Sequence, residues 1–301
     1  MARTKDETWV AGVRLTHPDR VLYPGQGITK RELAAYYEVV AERMLPHVEA
    51  RPLTLVRCPA GAKTECFFQR RAGRGTPKEL GRVEVPVQGK RETYLTADDL
   101  PALLAMVQLG VLEMHVWGAR RDRLDRPDRM IHDLDPAPGV PWEAVVEGAF
   151  RIRDRLRGLG LRSWVKTSGG KGLHVVTPLA RRLPWDELRE FSRGVAEAVV
   201  RDHPERFLTS ASREAREGKI YIDYLRNSWS ASAVAPYSTR SREGAPVSFP
   251  LAWEELGPDT RPADFNVRTV PERVHSGADP WAEMAAARQT ITREMMAEVG
   301  V

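Results

Sequence analysis

The spacing of apolar residues predicts five helices. In the first, apolar residues from Leu33 to Met44 recur every three or four positions, and Thr29 with Glu32 has the spacing of an N-terminal capping box. Pro46 is expected to end this helix, because proline removes a backbone donor and clashes with the preceding turn. The other four helices are predicted at about 100–109, from 141 to about 158, at about 185–200 and near 281–298.

Short apolar runs between these helices predict strands. The runs are PLTLVRC, ECFFQR, VLEMHVW, RMIHDLD, LRSWVKT, GLHVVTPL, IYIDYL and SASAVAPYS, and VEVPV with ETYLT predicts a hairpin turning at residues 88–90. Because strands and helices interleave along the whole chain, the sequence predicts an α/β or α+β fold.

Composition narrows the class of protein without naming a partner. The chain has 301 residues with 42% hydrophobic and 29% charged residues, which is typical of a soluble globular protein. Lysine and arginine exceed the acids by 46 to 41, an excess that permits a polyanionic partner without requiring one. Two cysteines, Cys58 and Cys66, predict no disulfide framework and favour the cytoplasm. No apolar run approaches the ~18 residues of a membrane span.

The stretch IHDLDP, residues 131–136, places two acids two positions apart in a predicted strand. Asp133 and Asp135 therefore share one face, while His132 points to the other. Like charges this close repel, and a divalent cation such as Mg²⁺ or Mn²⁺ relieves the repulsion. The alternative is a pair of solvated acids, or a cap before a proline turn.

A glycine turn, KTSGGKGLHV, lies between two predicted strands at residues 166–175. Gly169 and Gly170 allow positive φ and close approach of a ligand, and Ser168, Lys171 and His174 offer donors suited to phosphate. The spacing does not match a Walker motif. An ordinary strand–turn–strand connection, with glycines needed only for geometry, is the alternative.

Asp223 is a single acid inside the strand IYIDYL, and an unpaired acid there is costly to bury. Its partner is either a shared metal ion or a salt bridge to a nearby cation, for which the candidates are Arg216, Lys219 and Arg226. Arg240, after the run APYS, is either a contact for a triphosphate or an ordinary surface arginine.

Aromatic and histidine residues add weaker signals. In FFQRRAGR, one of Phe67 and Phe68 is free to stack on a base, although one core and one covered phenylalanine is an equal alternative. His115 lies on the polar face of the strand before the acidic pair, near the expected substrate. A zinc set of Cys58, Cys66, His115 and His132 fits no familiar spacing.

The order of these motifs carries more information than any one of them. HDLDP, TSGGKGLH, IYIDYLRN and APYSTR follow one another as in the polymerase domain of bacterial DNA ligase D, a branch of the archaeo-eukaryotic primase superfamily, which this chain resembles. The resemblance begins at THPDRVLYP, residues 16–24, and extends through about Trp253.

The resemblance implies a primase-like catalytic core with a sheet similar to an RNA-recognition motif, in one domain. Its parts are 1–128 with the DNA and 5′-phosphate surface, 129–255 with the metal site, and a C-terminal part 256–301. It implies roles for these residues: Asp133, Asp135 and Asp223 as ligands of two Mn²⁺ or Mg²⁺ ions; Ser168, Gly169, Gly170, Lys171, His174, Arg240, His115, Phe67 and Phe68 as nucleotide contacts; and His17, Arg20, Lys30, Arg57 and Arg216 as DNA or 5′-phosphate contacts.

The implied activity is template-dependent nucleotidyl transfer in non-homologous end joining. A primer 3′-hydroxyl attacks the α-phosphate of an NTP, preferred over a dNTP, at DNA gaps or ends bearing a 5′-phosphate. Ku and a DNA ligase are the implied protein partners, and the bacterial cytoplasm with its nucleoid is the implied location. Three alternatives stay open: a replicative or plasmid-type primase, a non-catalytic DNA-end-binding module, and a metal-dependent nuclease or phosphodiesterase.

Overall fold

The computed structural model describes residues 7–87, 89–212 and 214–301. Helices in this part of the chain are α1 Lys30–Val48, α2 Leu100–Gln108, α3 Trp142–Gly158, α4 Trp185–Asp202, α5 Val270–Ser276 and α6 Arg293–Glu298. Strands are β1 Glu7–Val10, β2 Val13–Thr16, β3 Val21–Tyr23, β4 Ile28–Thr29, β5 Leu53–Arg57, β6 Phe67–Gln69, β7 Gly81–Val87, β8 Lys90–Thr96, β9 Val111–Trp117, β10 Arg129–Pro136, β11 Trp164–Thr167, β12 Leu173–Pro178, β13 Phe207–Leu208, β14 Ile220–Asp223, β15 Ser232–Val234 and β16 Pro250–Leu251. The predicted mixture of helices and strands is confirmed.

The described chain forms two compact units, each built from separate stretches of sequence. Unit 1 contains residues up to 117 together with 234–248 and 265–277, and unit 2 contains 118–233, 249–264 and 278–301. No helix in the described residues is both long and apolar enough to cross a lipid bilayer.

Unit 1 is organised around helix α1 and an antiparallel sheet with strand order β9-β5-β6. The predicted apolar stripe of α1 is buried at every position: Leu33, Tyr36, Tyr37, Val40 and Met44. Helix α2 packs against the same helix. Strands β7 and β8 pair antiparallel as predicted, although Gln88 of the expected turn lies outside the described residues.

Helix α1 begins at the predicted capping box but does not end at Pro46. The capping box is confirmed, since the Glu32 amide donates to the Thr29 hydroxyl and the Thr29 amide donates to the Glu32 carboxylate. Pro46 does not end the helix, which continues to Val48. A proline this close to the C-terminus removes a single donor, and the Glu49 amide still bonds to the Leu45 carbonyl at 2.8 Å.

Unit 2 contains a six-stranded sheet in the order β13-β14-β10-β12-β11-β16, antiparallel except for the β13–β14 pair. Helices α3 and α4 pack against each other and against β10. On the other side of the sheet, Trp281 and Met284 join a buried cluster with Ile131, Trp164 and Val176. Both faces of β10 are therefore covered around its middle.

The predicted helix near 281–298 is wrong over most of its length, because only Arg293–Glu298 is helical. Side chains and backbone of the preceding segment bond to the sheet instead. The Trp281 indole donates to the Val165 carbonyl at 3.1 Å, and the Ala180 amide donates to the Gln289 carbonyl at 2.7 Å. The predicted strand SASAVAPYS is also shortened to Ser232–Val234.

A disulfide joins Cys58 and Cys66, so the expectation that the two cysteines form no cross-link is wrong. The bond lies where β5 turns toward β6, immediately beside the cross-strand pair of Arg57 and Phe67. It closes the loop that connects the two strands, with a sequence separation of 8 residues. Gly110 adjoins this loop, since its carbonyl accepts from the Cys58 amide at 2.8 Å.

Replacing both cysteines, Cys58→Ser with Cys66→Ser, is expected to lower the free energy of unfolding by about 2–3 kcal/mol, because a loop of this length becomes open in the unfolded chain. Denaturant unfolding of the wild type and the double variant, each with and without reductant, measures the difference. Reductant should change only the wild type. Two free thiols in unreduced, unfolded wild-type protein would contradict the cross-link.

Candidate functional site

Four ionisable residues form one row across the sheet of unit 2. Asp223 on β14 is the direct cross-strand partner of Asp133 on β10, Asp133 is that of His174 on β12, and His174 is that of Lys166 on β11. Directly opposed residues of antiparallel strands project to the same face. All four are at least nine-tenths buried. The sheet register thus places two acids and two nitrogen bases side by side.

Arg226 lies between the two carboxylates of this row. Its Nε is 3.1 Å from Asp133 Oδ2 and 3.2 Å from Asp223 Oδ2, so one cation is shared by both acids. Burial alone raises the pKa of Asp133, but His174 and Arg226 outweigh it and hold that pKa well below its usual range. Burial and the neighbouring Asp133 charge raise the pKa of Asp223, against the opposing effect of Arg226. The salt-bridge alternative for Asp223 is therefore present.

Asp135 belongs to the same strand face but has a different partner. Its Oδ2 is 3.2 Å from Nη1 of Arg216, whose guanidinium also lies over the Tyr221 ring at 3.9 Å from the centroid. The Asp135 side chain is 57% exposed, in contrast to the buried Asp133. Across the residues that the structure describes, no three His, Cys, Asp or Glu side chains are gathered as a metal-ion site.

The glycine turn is held by Ser168. Its hydroxyl oxygen accepts from the Gly170 and Gly172 amides at 3.3 and 3.2 Å, and its own amide donates to the Gly172 carbonyl at 3.0 Å. Gly172 admits no side chain, because an added Cβ would lie 2.0 Å from the Leu134 carbonyl oxygen. Gly169 has φ of +66°, and Lys171 is exposed. The turn therefore brings Lys171 to the surface beside the acidic strand.

His132 points to the helix side of the sheet, as predicted. Its Nε2 donates to the Ser192 carbonyl on α4 at 3.0 Å, and burial lowers the pKa of His132 to about 4. It takes no part in the row of Asp133.

A second polar cluster lies in unit 1. Glu113 on β9 is buried, and its Oε2 accepts from His115 Nε2 and Arg240 Nε, both at 2.9 Å. Its Oε1 accepts from the amide and hydroxyl of Ser241 at 2.9 and 2.6 Å. Although burial opposes ionisation, these donors hold the pKa of Glu113 well below its usual range. The alternative of Arg240 as a surface arginine is wrong, because its side chain is only 15% exposed.

The aromatic pair of unit 1 stands on the edge strand β6. Phe67 is 45% exposed and Phe68 is 72% exposed, so the alternative in which one of them belongs to the core is wrong. Arg57 lies over the Phe67 ring at 5.2 Å from the centroid and donates to Gln69 Oε1 at 2.9 Å. These contacts place a cation beside the accessible Phe67 ring.

Backbone hydrogen bonds bring together the three residues implied to bind a 5′-phosphate. The Arg20 amide donates to the His17 carbonyl at 3.1 Å, and the Lys30 amide donates to the Arg20 carbonyl at 2.8 Å. His17 and Arg20 are exposed, whereas Lys30 is buried and its Nζ donates to the Thr16 carbonyl at 2.8 Å. Burial, with the charge of Arg20, lowers the pKa of Lys30 to about 8.

Sequence reasoning missed three functional candidates that the structure places at these clusters: Lys166, Glu113 and the shared position of Arg226. Lys166 and Glu113 each had a signal, since a charged residue in a largely apolar strand is seldom buried without a specific partner. From the sequence, Arg226 is one of three candidate salt-bridge partners for Asp223. Its contact with Asp133 depends on the β10–β14 register, which the sequence does not specify.

Comparisons with known proteins place these clusters in context. The family model described as "LigD, primase-polymerase domain" matches residues 29–281. The multifunctional non-homologous end joining protein LigD of Pseudomonas aeruginosa is 40% identical over 292 residues, covering 96% of this chain and 35% of that protein. The bifunctional protein LigD of Bacillus subtilis is 30% identical over 271 residues, covering 89% of this chain and 43% of that protein.

A solved structure agrees with the sequence matches. The polymerase domain of Mycobacterium tuberculosis ligase D, in complex with DNA, superposes with a TM-score of 0.86 at 32% identity, covering 92% of this chain and 99% of that one. The predicted primase-type fold is thereby confirmed. The chain spans less than half the length of the curated LigD relatives above.

The buried imidazole of His132 predicts a pH dependence of stability. The folded protein keeps it neutral down to about pH 4, whereas in the unfolded chain it binds a proton below about pH 6.5. The free energy of unfolding is therefore expected to fall as pH drops from 6.5 to 4, by up to about 3 kcal/mol from this residue.

His132→Gln, which keeps a donor for the Ser192 carbonyl, should reduce that slope without removing it. His174 acts in the same sense, since burial and Lys166 lower its pKa to about 4 as well. Denaturant titrations at half-unit pH steps compare the two proteins. An unchanged slope in the variant would show that His132 is not the group responsible.

Proposed function

This chain belongs to the LigD primase-polymerase domain family, and on that premise we propose that it extends or fills DNA ends by two-metal nucleotidyl transfer, preferentially from ribonucleotides. The observation that carries the proposal is the row of Asp223, Asp133, His174 and Lys166 on one sheet face. The family implies use of a divalent metal.

The residues of this row fit a hard divalent cation. Asp133 and Asp223 are held side by side, and the Arg226 guanidinium that they share supports a site of negative potential between them. Carboxylate oxygens are the donors that Mg²⁺ and Mn²⁺ prefer. Asp133, Asp135 and Asp223 would hold the ions, which supply activation of the primer hydroxyl and neutralisation of phosphate charge.

The chain's own residues have separate tasks in this proposal. Lys171 and Ser168 of the glycine turn, with His174, bind and orient the triphosphate. Arg240 and His115 add donors to the nucleotide, and the preorganised positive groups stabilise the charge that develops on the departing pyrophosphate. Phe67 and Phe68 stack on bases, because exposed rings bind them without sequence preference.

DNA is the proposed second substrate. The similar polymerase domain of Mycobacterium tuberculosis ligase D is described in complex with DNA, and the LigD relatives are described as end-joining proteins. The arginines of this chain provide contacts for phosphate, among them Arg57 and Arg216, and His17, Arg20 and Lys30 bind a downstream 5′-phosphate. The LigD relatives are longer than this chain. The proposal therefore includes that the chain acts together with Ku and a DNA ligase in the bacterial nucleoid.

Primer extension on a gapped duplex is the deciding experiment. With Mn²⁺, wild-type protein is expected to lengthen the primer more rapidly with NTP than with dNTP, and Asp133→Asn should lower the rate at least about 100-fold, since even supporting residues of metal sites cost 10–100-fold. Asp154→Asn, which removes an exposed carboxylate of α3, is the matched control and should retain the wild-type rate.

Each rival function has its own outcome in this assay. Nucleotide-independent shortening of the primer indicates a nuclease, and absence of activity on every primed template indicates an end-binding module. Full activity in Asp133→Asn would refute the metal assignment.

Lys30 is proposed to recognise the 5′-phosphate of the downstream DNA strand. Lys30→Ala is expected to reduce the affinity ratio between gapped DNA with a 5′-phosphate and with a 5′-hydroxyl by about tenfold, the usual worth of a hydrogen bond to a charged group. In the wild type this ratio should fall as pH rises above about 8, where the Lys30 ammonium loses its proton.

Fluorescence anisotropy with the two DNAs measures the ratio. Lys63→Ala removes an exposed lysine of the same unit and should change both affinities alike. If Lys30→Ala keeps the wild-type ratio, or if the wild type does not distinguish the two DNAs, the replicative primase becomes the better assignment.

A further inference from the structure

Glu113 is a buried acid with four hydrogen bonds that the proposed reaction does not use directly. It is 5% exposed, and both of its carboxylate oxygens accept from two donors each. A buried carboxylate is costly unless it is fully paired. Among the described residues the donors belong to three, His115, Arg240 and Ser241, so burying the carboxylate requires that these three stay in position.

Two of these three residues, Arg240 and His115, have a proposed role at the nucleotide. The Arg240 Nε and His115 Nε2 approach the same oxygen, Oε2, at 2.9 Å each. A long arginine side chain loses considerable conformational freedom when it binds a ligand, and a fixed partner reduces that loss. One atom of Glu113 therefore sets the positions of both the Arg240 guanidinium and the His115 imidazole.

The ionised state of Glu113 also fixes how His115 is protonated. A carboxylate only accepts hydrogen bonds, so the His115 Nε2 must carry the proton. The ring orientation and tautomer of His115 are then set by Glu113, as a carboxylate sets a histidine in many catalytic sites.

The segment around Arg240 is tied to β9 at further points. The Thr239 hydroxyl donates to the Leu112 carbonyl at 2.6 Å, and the Met114 amide donates to the Ser238 hydroxyl at 2.8 Å. Tyr23 donates to the Arg240 carbonyl at 2.9 Å. Because these bonds hold the backbone of residues 238–240, the specific effect of Glu113 is on the Arg240 and His115 side chains.

We propose that Glu113 is a positioning residue for nucleotide binding, which holds the Arg240 guanidinium and the His115 imidazole in place as donors to the nucleotide. This inference rests on the proposed function for the identity of the ligand. It makes a prediction opposite to that of simple electrostatics, because removing a negative charge near a triphosphate should otherwise strengthen binding.

Direct binding of labelled ATP by fluorescence anisotropy tests the proposal. Glu113→Gln is expected to raise the ATP Kd about tenfold, since glutamine has no negative charge and only one acceptor oxygen for four donors, and lost support of a binding group costs 10–100-fold. Glu113→Asp keeps the charge and should give a smaller increase. Unchanged or tighter binding in Glu113→Gln would overturn the proposal.

Ser241→Ala is the matched control for a purely structural effect. It removes a hydrogen bond to the same carboxylate without touching Arg240 or His115, so it should lower the thermal unfolding midpoint but leave the ATP Kd within about twofold. If Ser241→Ala raised the ATP Kd as much as Glu113→Gln does, Glu113 would have only a structural role, which would contradict the proposal.

A double-mutant cycle with Arg240→Ala identifies the route of the effect. In that background, Glu113→Gln is expected to change the ATP Kd by less than about threefold, because its main target is already absent. Additive effects would contradict the positioning role. Primer extension is measured in parallel. If the wild type extends the primer but all variants bind ATP with the wild-type Kd, this inference alone is overturned. If the wild type binds ATP but does not extend the primer, only the polymerase function is overturned.

Discussion

Asp133 and Asp223 are held next to each other by strand register, and the surrounding residues of unit 2 compensate their charges. Direct cross-strand pairing fixes the two carboxylates on one face, where burial makes their repulsion costly. Arg226 bridges them, His174 lies 3.4 Å from Asp133, and Lys166 ends the row. A sheet register that slipped by one residue would send these side chains to the helix-covered face, so the chemistry depends directly on strand pairing.

Unit 1 contains the reverse arrangement of charges. There one buried carboxylate, Glu113, gathers two basic side chains, whereas in unit 2 one guanidinium is shared by two carboxylates. In both places buried carboxylates and their basic partners hold one another in a narrow range of positions. Such preorganisation lowers the cost of binding a charged ligand, because little reorganisation is required when it arrives.

The sequence predicted the elements that local chemistry determines. The stripe of α1, its capping box, the β7–β8 hairpin and the shared face of Asp133 and Asp135 all follow from spacing within a few residues. Two of the predictions that failed involve contacts that local spacing does not specify: the segment from Trp281 bonds to the sheet, and Cys58 meets Cys66 across the β5–β6 turn. The row of Asp223, Asp133, His174 and Lys166 could not be predicted either, because it joins four strands and the periodicity of the sequence does not specify their order.

Strand β6 carries two accessible phenylalanines at the open edge of a sheet, and such an edge is also a template for pairing with another polypeptide. Its three-residue length and the arginines at positions 70 and 71 limit that hazard, since short, charged edges are poor partners for a foreign strand. The same arginines favour a polyanion over a second protein chain. The features for which this edge is proposed to bind nucleic acid would therefore also protect it against self-association.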